Sequence, residues 1–184
     1  HVPFEIVAPC LQSLTLRDID KGTFNISGCK SLKSLSLIDE YDAWGVAGVD
    51  LEALTELTSL TIRGFNHLNS LKLNKNTLSS LYFSGNSLSS IDFSDCTALK
   101  SAEIYGKNIT SIDVSGCSAL TTLNCKQCTA LTNLNLSGCS ALKTLTCYGC
   151  SKLTNLNLSG CSELKKIRTS STKLSLLNLS DCVA

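Results

Sequence analysis

Eleven cysteines and two histidines bound the chemistry open to this 184-residue chain. Cys125/Cys128 and Cys147/Cys150 are two C-x-x-C pairs, the spacing of a four-thiolate zinc site. In an oxidising compartment, so many cysteines would also read as a disulfide framework. Their phase argues against both. Cys29, Cys96, Cys117, Cys139, Cys161 and Cys182 share one position of a recurring unit, and Cys128 and Cys150 share its counterpart. A thiol that returns at one structural position behaves as a small buried hydrophobe. Cysteines stacked on adjacent units come within disulfide reach, but parallel Cβ vectors oppose the torsion a disulfide needs. The expectation is buried, reduced thiols, with no metal and no cofactor. Catalysis lacks parts as well. Histidine occurs only at His1 and His67, no acid–base–nucleophile set converges, and the glycines stand singly in S-G-C turns rather than in a phosphate-cradling loop. No enzyme is expected. Asn25, Asn108, Asn135, Asn157 and Asn178 lie in N-x-S/T form, but most of these arise from the repeat itself and carry little information about glycosylation.

The repeating unit is clearest in LTNLNLSGCSALKTLTCYGCSK, residues 131–152, which is followed at once by LTNLNLSGCSE. In the half starting at Leu142, positions 1, 4, 6 and 9 are Leu142, Leu145, Cys147 and Cys150. Alternate side chains of a strand face opposite sides, so positions 4 and 6 point inward and 5 and 7 outward. One unit cannot bury its own leucines, whereas stacked units can. One kind of half is nearly invariant: LSSIDFSDCTA, ITSIDVSGCSA, LTNLNLSGCSA, LTNLNLSGCSE, LSLLNLSDCVA. The other kind varies, with starts at Leu11, Leu32, Leu57, Leu78, Leu99, Leu120, Leu142 and Leu164.

Several variable halves fit LxxLxLxxNxL or LxxLxLxxCxxL, which resembles the leucine-rich repeat family. The alternating halves of about ten and eleven residues are similar to the short repeats of secreted and surface bacterial members, including internalin-like ones. The resemblance implies an α/β solenoid, mostly β, of about eight right-handed coils with a concave parallel sheet. It also implies non-catalytic recognition of a protein or glycan at the bacterial surface, in a secreted or cell-surface setting. A structural spacer, or a repeat array of a larger adhesin, is the alternative.

Residues 1–10 fit the repeat poorly and read as a cap-like segment, with the repeat domain over 11–184. The one long spacing falls in residues 38–56, where the invariant half looks replaced. Asp50 reads there as a helix N-cap and Leu51 and Leu54 as one helix face, so a short helix is expected over 51–56. That insertion holds Tyr41, Trp44 and six acids without a Lys or Arg, while Lys143, Lys152, Lys165, Lys166, Arg168 and Lys173 lie near the other end. The expected result is a charge dipole along the molecule. The formal net charge of +1 gives no general attraction to nucleic acid, and no apolar run is long enough to span a bilayer. The sequence stops at Ala184 part-way through a coil, so a flanking domain or self-association is expected to cover that end.

The outward positions of the variable strands are the candidate surface. Position 5 reads Thr15, Ser36, Thr61, Tyr82, Glu103, Asn124, Thr146, Arg168, and position 7 reads Arg17, Ile38, Arg63, Ser84, Tyr105, Lys126, Tyr148, Ser170. Variety here, against monotony in the other halves, marks this face for a ligand. The candidate contacts are Arg63, Tyr82, Glu103, Tyr105, Lys126, Tyr148 and Arg168, because Tyr and Arg most often carry interface energy.

Overall fold

The computed structural model describes residues 4–18, 24–41 and 45–182. His1, Trp44 and Ala184, each singled out in the sequence, lie outside them. The variable halves supply β2 (Ser13–Arg17), β4 (Ser34–Ile38), β6 (Ser59–Arg63), β8 (Ser80–Ser84), β10 (Ser101–Tyr105), β12 (Thr122–Asn124), β14 (Thr144–Thr146) and β16 (Lys166–Arg168). These form one eight-stranded sheet in chain order. Every pairing is parallel and in repeat register, so Tyr82 stands beside Glu103 and Glu103 beside Asn124.

The other halves supply β1 (Phe4–Glu5), β3 (Phe24–Asn25), β5 (Gly48–Leu51), β7 (Ser70–Leu73), β9 (Ser90–Asp92), β11 (Ser111–Asp113), β13 (Asn133–Asn135), β15 (Asn155–Asn157) and β17 (Leu176–Asn178). They do not form one sheet. They divide into β1–β3, β5–β7, β9–β11–β13 and β15–β17. The chain is thus a parallel β-solenoid of about eight turns. Rows 4 and 6 of both halves, with the position-1 leucines and position-9 cysteines, make one continuous buried core.

The expected α component is corrected by the structure: all regular elements among the described residues are strands. Residues 51–56 form no helix. Val49 and Leu51 are buried while Asp50 is exposed, the alternation of a strand, and β5 pairs with β7. The Leu54 N–H donates to the Leu51 carbonyl at 3.0 Å, and the Leu57 N–H to the Leu54 carbonyl at 3.2 Å, as two tight turns. Val46, Val49, Leu51 and Leu54 occupy positions 1, 4, 6 and 9. The invariant half is therefore present, disguised by Leu54 where a cysteine usually stands. The half that begins at Leu68 and carries β7 is disguised by an exposed Asn76 at position 9.

The monotony of the invariant halves has a local cause. The position-5 Asn or Asp accepts the backbone N–H two residues on: Ser94 N–H to Asp92 at 2.8 Å, Ser137 N–H to Asn135 at 3.2 Å, Ser159 N–H to Asn157 at 3.0 Å. Position 8 then turns through positive φ at Asp95, Gly116, Gly138, Gly160 and Asp181. Gly, Asp and Asn tolerate that region best. The position-9 N–H closes the turn onto the position-6 carbonyl, as from Cys117 to Val114 at 3.2 Å. The N/D-x-S-G/D-C sequence is a complete turn specification.

Candidate functional site

The cysteines do structural work. Nine are buried and none is in a disulfide; Cys10 is exposed and Cys182 half-buried. The position-9 thiols of Cys29, Cys117, Cys128, Cys139, Cys150 and Cys182 point at the position-6 carbonyl of the preceding coil on the same face. Cys117 Sγ lies 3.1 Å from the Phe93 carbonyl, Cys139 Sγ 3.1 Å from Val114, Cys150 Sγ 3.1 Å from Cys125 and Cys182 Sγ 3.2 Å from Leu158. Those carbonyls already accept one turn N–H, so the thiol occupies the second lone pair as a weak donor. Leucine or alanine in the slot would fill space without that bond. Both C-x-x-C pairs lie wholly in core rows, and no group of three or more His, Cys, Asp or Glu among the described residues could hold a metal ion.

Burial favours the neutral thiol. It pushes Cys128, Cys139 and Cys147 up to about 12 and Cys161 up to about 11. Cys96, hydrogen-bonded to Cys117 and buried, is raised further. At neutral pH these groups are protonated and screened from reagents. Thiol titration of the native protein should therefore find Cys10 at once and Cys182 more slowly, with nine further thiols released only by denaturant. Prompt reaction of several more in the native state would show that the coils open readily.

The outward face of the eight-stranded sheet carries three rows. Position 3 is Ser13, Ser34, Ser59, Ser80 and Ser101, then Thr122, Thr144 and Lys166. Its serine run leaves room for large neighbours. Position 5 is paired across all eight strands, and position 7 is paired from Arg17 to Tyr105. Beyond β12 the ladder continues through Gln127 N–H to the Tyr148 carbonyl at 2.8 Å, which keeps Lys126 and Tyr148 in the same row.

Tyr82, Glu103, Tyr105 and Lys126 come together. The Tyr82 and Tyr105 rings lie 5.5 Å apart, tilted by 54°. Lys126 Nζ stands 5.2 Å from the centre of the Tyr105 ring, a cation–π contact across neighbouring strands. The Tyr105 hydroxyl donates to Glu103 and accepts from Asn124 Nδ2 at 3.0 Å. Partial burial, with the Glu103 carboxylate beside it, holds the Tyr105 hydroxyl well above the usual phenol range. Asn124 also accepts the Lys126 N–H at 3.2 Å. In the sequence Asn124 is a position-5 row member outside the candidate contacts. The signal was the N-x-K spacing, which repeats the turn chemistry of the invariant halves. Tyr148 (43% exposed) and Arg168 stand free of this cluster, one and two strands beyond Lys126, and Arg63 lies exposed on β6.

No family model matches the sequence, and neither does any curated protein. Among solved structures, the chain is similar to the leucine-rich repeat domain of the type III effector XopL, at 18% identity over 91% of this chain and 68% of that one, with a TM-score of 0.47. It is similar to a leucine-rich repeat protein from Eubacterium ventriosum at 15% identity, over 94% of this chain and 65% of that one, with a TM-score of 0.35. A leucine-rich repeat protein from Bacteroides ovatus gives 17% identity, 91% and 68% coverage and a TM-score of 0.30. Within the chain, the L-x-x-L-x-L units, their stacked parallel ladder and their shared core rows make a parallel β-solenoid of leucine-rich units.

Proposed function

We propose that the chain is a non-catalytic recognition module that binds a partner protein on the outward face of the eight-stranded sheet. The observation that carries this reading is the Tyr82–Tyr105–Lys126 cluster, braced by Glu103 and Asn124. Two half-buried aromatic rings fixed by neighbours offer contact area at low entropic cost. Lys126 is exposed beside them, with Arg63 and Arg168 exposed further along the same face, which favours an acidic partner patch. A glycan is the other ligand class that stacked tyrosines accept. The secreted or surface bacterial setting is part of the proposal and is supported by the repeat resemblance. No helix of the structure is long and apolar enough to cross a membrane.

The test is alanine substitution at Tyr148, Arg168 and Tyr82, with Lys152→Ala and Lys173→Ala as controls, against panels of host-surface proteins and glycans. Asn135 and Asn157 are unsuitable controls, because each holds a turn. A tyrosine anchor should cost about 1–2 kcal/mol, or about 5–30-fold in Kd. Equal effects from both sets, or no ligand for the wild type, would favour a spacer.

A further inference from the structure

The eight-stranded sheet is unbroken past β6 and β8, yet the opposite face parts at the same coil boundary. No Cα of β7 lies within 8 Å of any Cα of β9. No backbone hydrogen bond among the described residues joins the two strands. Neighbouring strands of a sheet stand about 4.8 Å apart, so a gap holding exactly one extra strand would be about 9.6 Å wide. A cleft of about 350 Å³ fills the gap, with Leu71, Leu73, Ile91 and Phe93 on its inner wall. Across its mouth Lys75 Nζ reaches Asp92 at 3.1 Å and Ser94 Oγ at 3.1 Å. A side chain thus spans what backbone bonds span within β5–β7 and within β9–β11–β13.

We propose that this cleft is a second binding site, separate from the tyrosine face, which takes an extended segment of a partner protein as an inserted strand. Both walls are strand edges, so such a segment can pair on two sides at once, which one exposed edge does not permit. The rows specify its residues. Repeat phase sets Leu71 opposite Ile91 and Leu73 opposite Phe93, so two alternate side chains of the segment must be apolar and point inward. The residue between them faces outward in the row Asp50, Lys72, then Asp92 and Asp113. Lys72 already pairs with Asp50 at 3.6 Å. Asp92 and Asp113 stand side by side with Lys75 reaching only the first, so a basic residue at that place is complementary. The chemistry is polar–apolar–basic–apolar, in extended form.

The experiment uses the whole chain and a blocked synthetic peptide, acetyl-Ser-Leu-Lys-Leu-Ser-amide, with amide exchange read residue by residue. Saturating peptide should slow exchange in 70–73 and 90–92 by about tenfold or more, and leave the outward sheet unchanged. N-methylation of the peptide's leucine amides should abolish binding, because it removes strand donors. Replacing its lysine by glutamate should weaken binding about tenfold in the wild type and far less in Asp92→Asn, whose asparagine keeps the Ser94 turn. Lys75→Ala should tighten binding, because it clears the mouth and frees Asp92. The proposal is overturned if millimolar peptide gives no saturable binding or if the N-methylated peptide binds equally well. It is also overturned if the protein alone dimerises with 70–73 and 90–92 already protected, which would assign the cleft to a second copy.

Discussion

Replacing Gly64 by alanine is expected to destabilise the solenoid by roughly 2–6 kcal/mol, taking about 1–3 from left-handed strain and about 1–3 from overpacking. Gly64 has φ +84°, and a Cβ there would stand 1.9 Å from the Asp39 carbonyl oxygen and 2.8 Å from its carbon. Both contacts are backbone, so no rotamer change relieves them. The same segment is pinned on both sides. Asp39 N–H donates to the Arg63 carbonyl at 2.8 Å, and Gly64 N–H donates to the Ser84 carbonyl at 2.7 Å. Moving the chain away from Asp39 therefore loosens the ladder beneath Arg63 and its neighbours. Gly160 is the control, with φ +80° and nothing within 4 Å of the built Cβ. Its replacement by alanine should cost about 1 kcal/mol, the strain alone. Urea denaturation of the two variants measures the difference. A loss at Gly64 no greater than at Gly160 would show that the coils part there without resistance.

The period was legible because position-1, -4 and -6 residues are buried on nearly all of the inner coils, and burial admits few residue types. The register was legible for the same reason, since one residue of slip would turn Leu81 and Phe83 out to solvent. The helix reading failed at residues 51–56 because Leu51 and Leu54 are three apart both on a helix and between positions 6 and 9 of this repeat. The turn bond of Asp50 to the Glu52 N–H, 3.1 Å long, uses the same atoms a helix cap would use. The contrast between the varied and monotonous rows was real but misattributed in part. Asn135 and Asn157 do not vary because their side chains close turns, so their monotony says nothing about a ligand. What the rows could not show was contact. Tyr82 meets Tyr105 diagonally, from row 5 to row 7, while Lys126 reaches the Tyr105 ring along row 7. The gap beside β9 was invisible because Leu71 and Ile91 obey the repeat perfectly while their backbones stand apart.

Tyr105 also changes meaning once its partners are seen. From its row alone it is an outward side chain whose truncation leaves packing intact. Its ring touches Tyr82 and Lys126, and its hydroxyl joins Glu103 to Asn124. Removing it would disturb the whole cluster, so Tyr148 and Arg168 are the cleaner probes of binding.

Alkali should unfold this protein early, at pH values where an ordinary β-protein still stands. Unfolded thiols titrate near 9.0, whereas Cys128, Cys139 and Cys147 are held at about 12 and Cys161 at about 11 in the folded chain. The sign follows from proton counts. Between these limits the folded state keeps protons that the unfolded state has lost, so stability must fall as pH rises. Below pH 9 the contribution is fully present, and through pH 11 to 12 it is lost. Each such thiol should cost roughly 1 kcal/mol per pH unit in that window. Four together weaken the fold by several kcal/mol near pH 10, comparable with the whole stability of a typical domain. Denaturation curves with a reductant present, taken at steps from pH 8 to 11, measure the slope directly. Cys139→Ala should lower stability at neutral pH through the lost bond to the Val114 carbonyl, and should also flatten the alkaline slope by about one proton. A wild-type stability unchanged to pH 11 would mean that the thiol columns take up solvent without the coils separating.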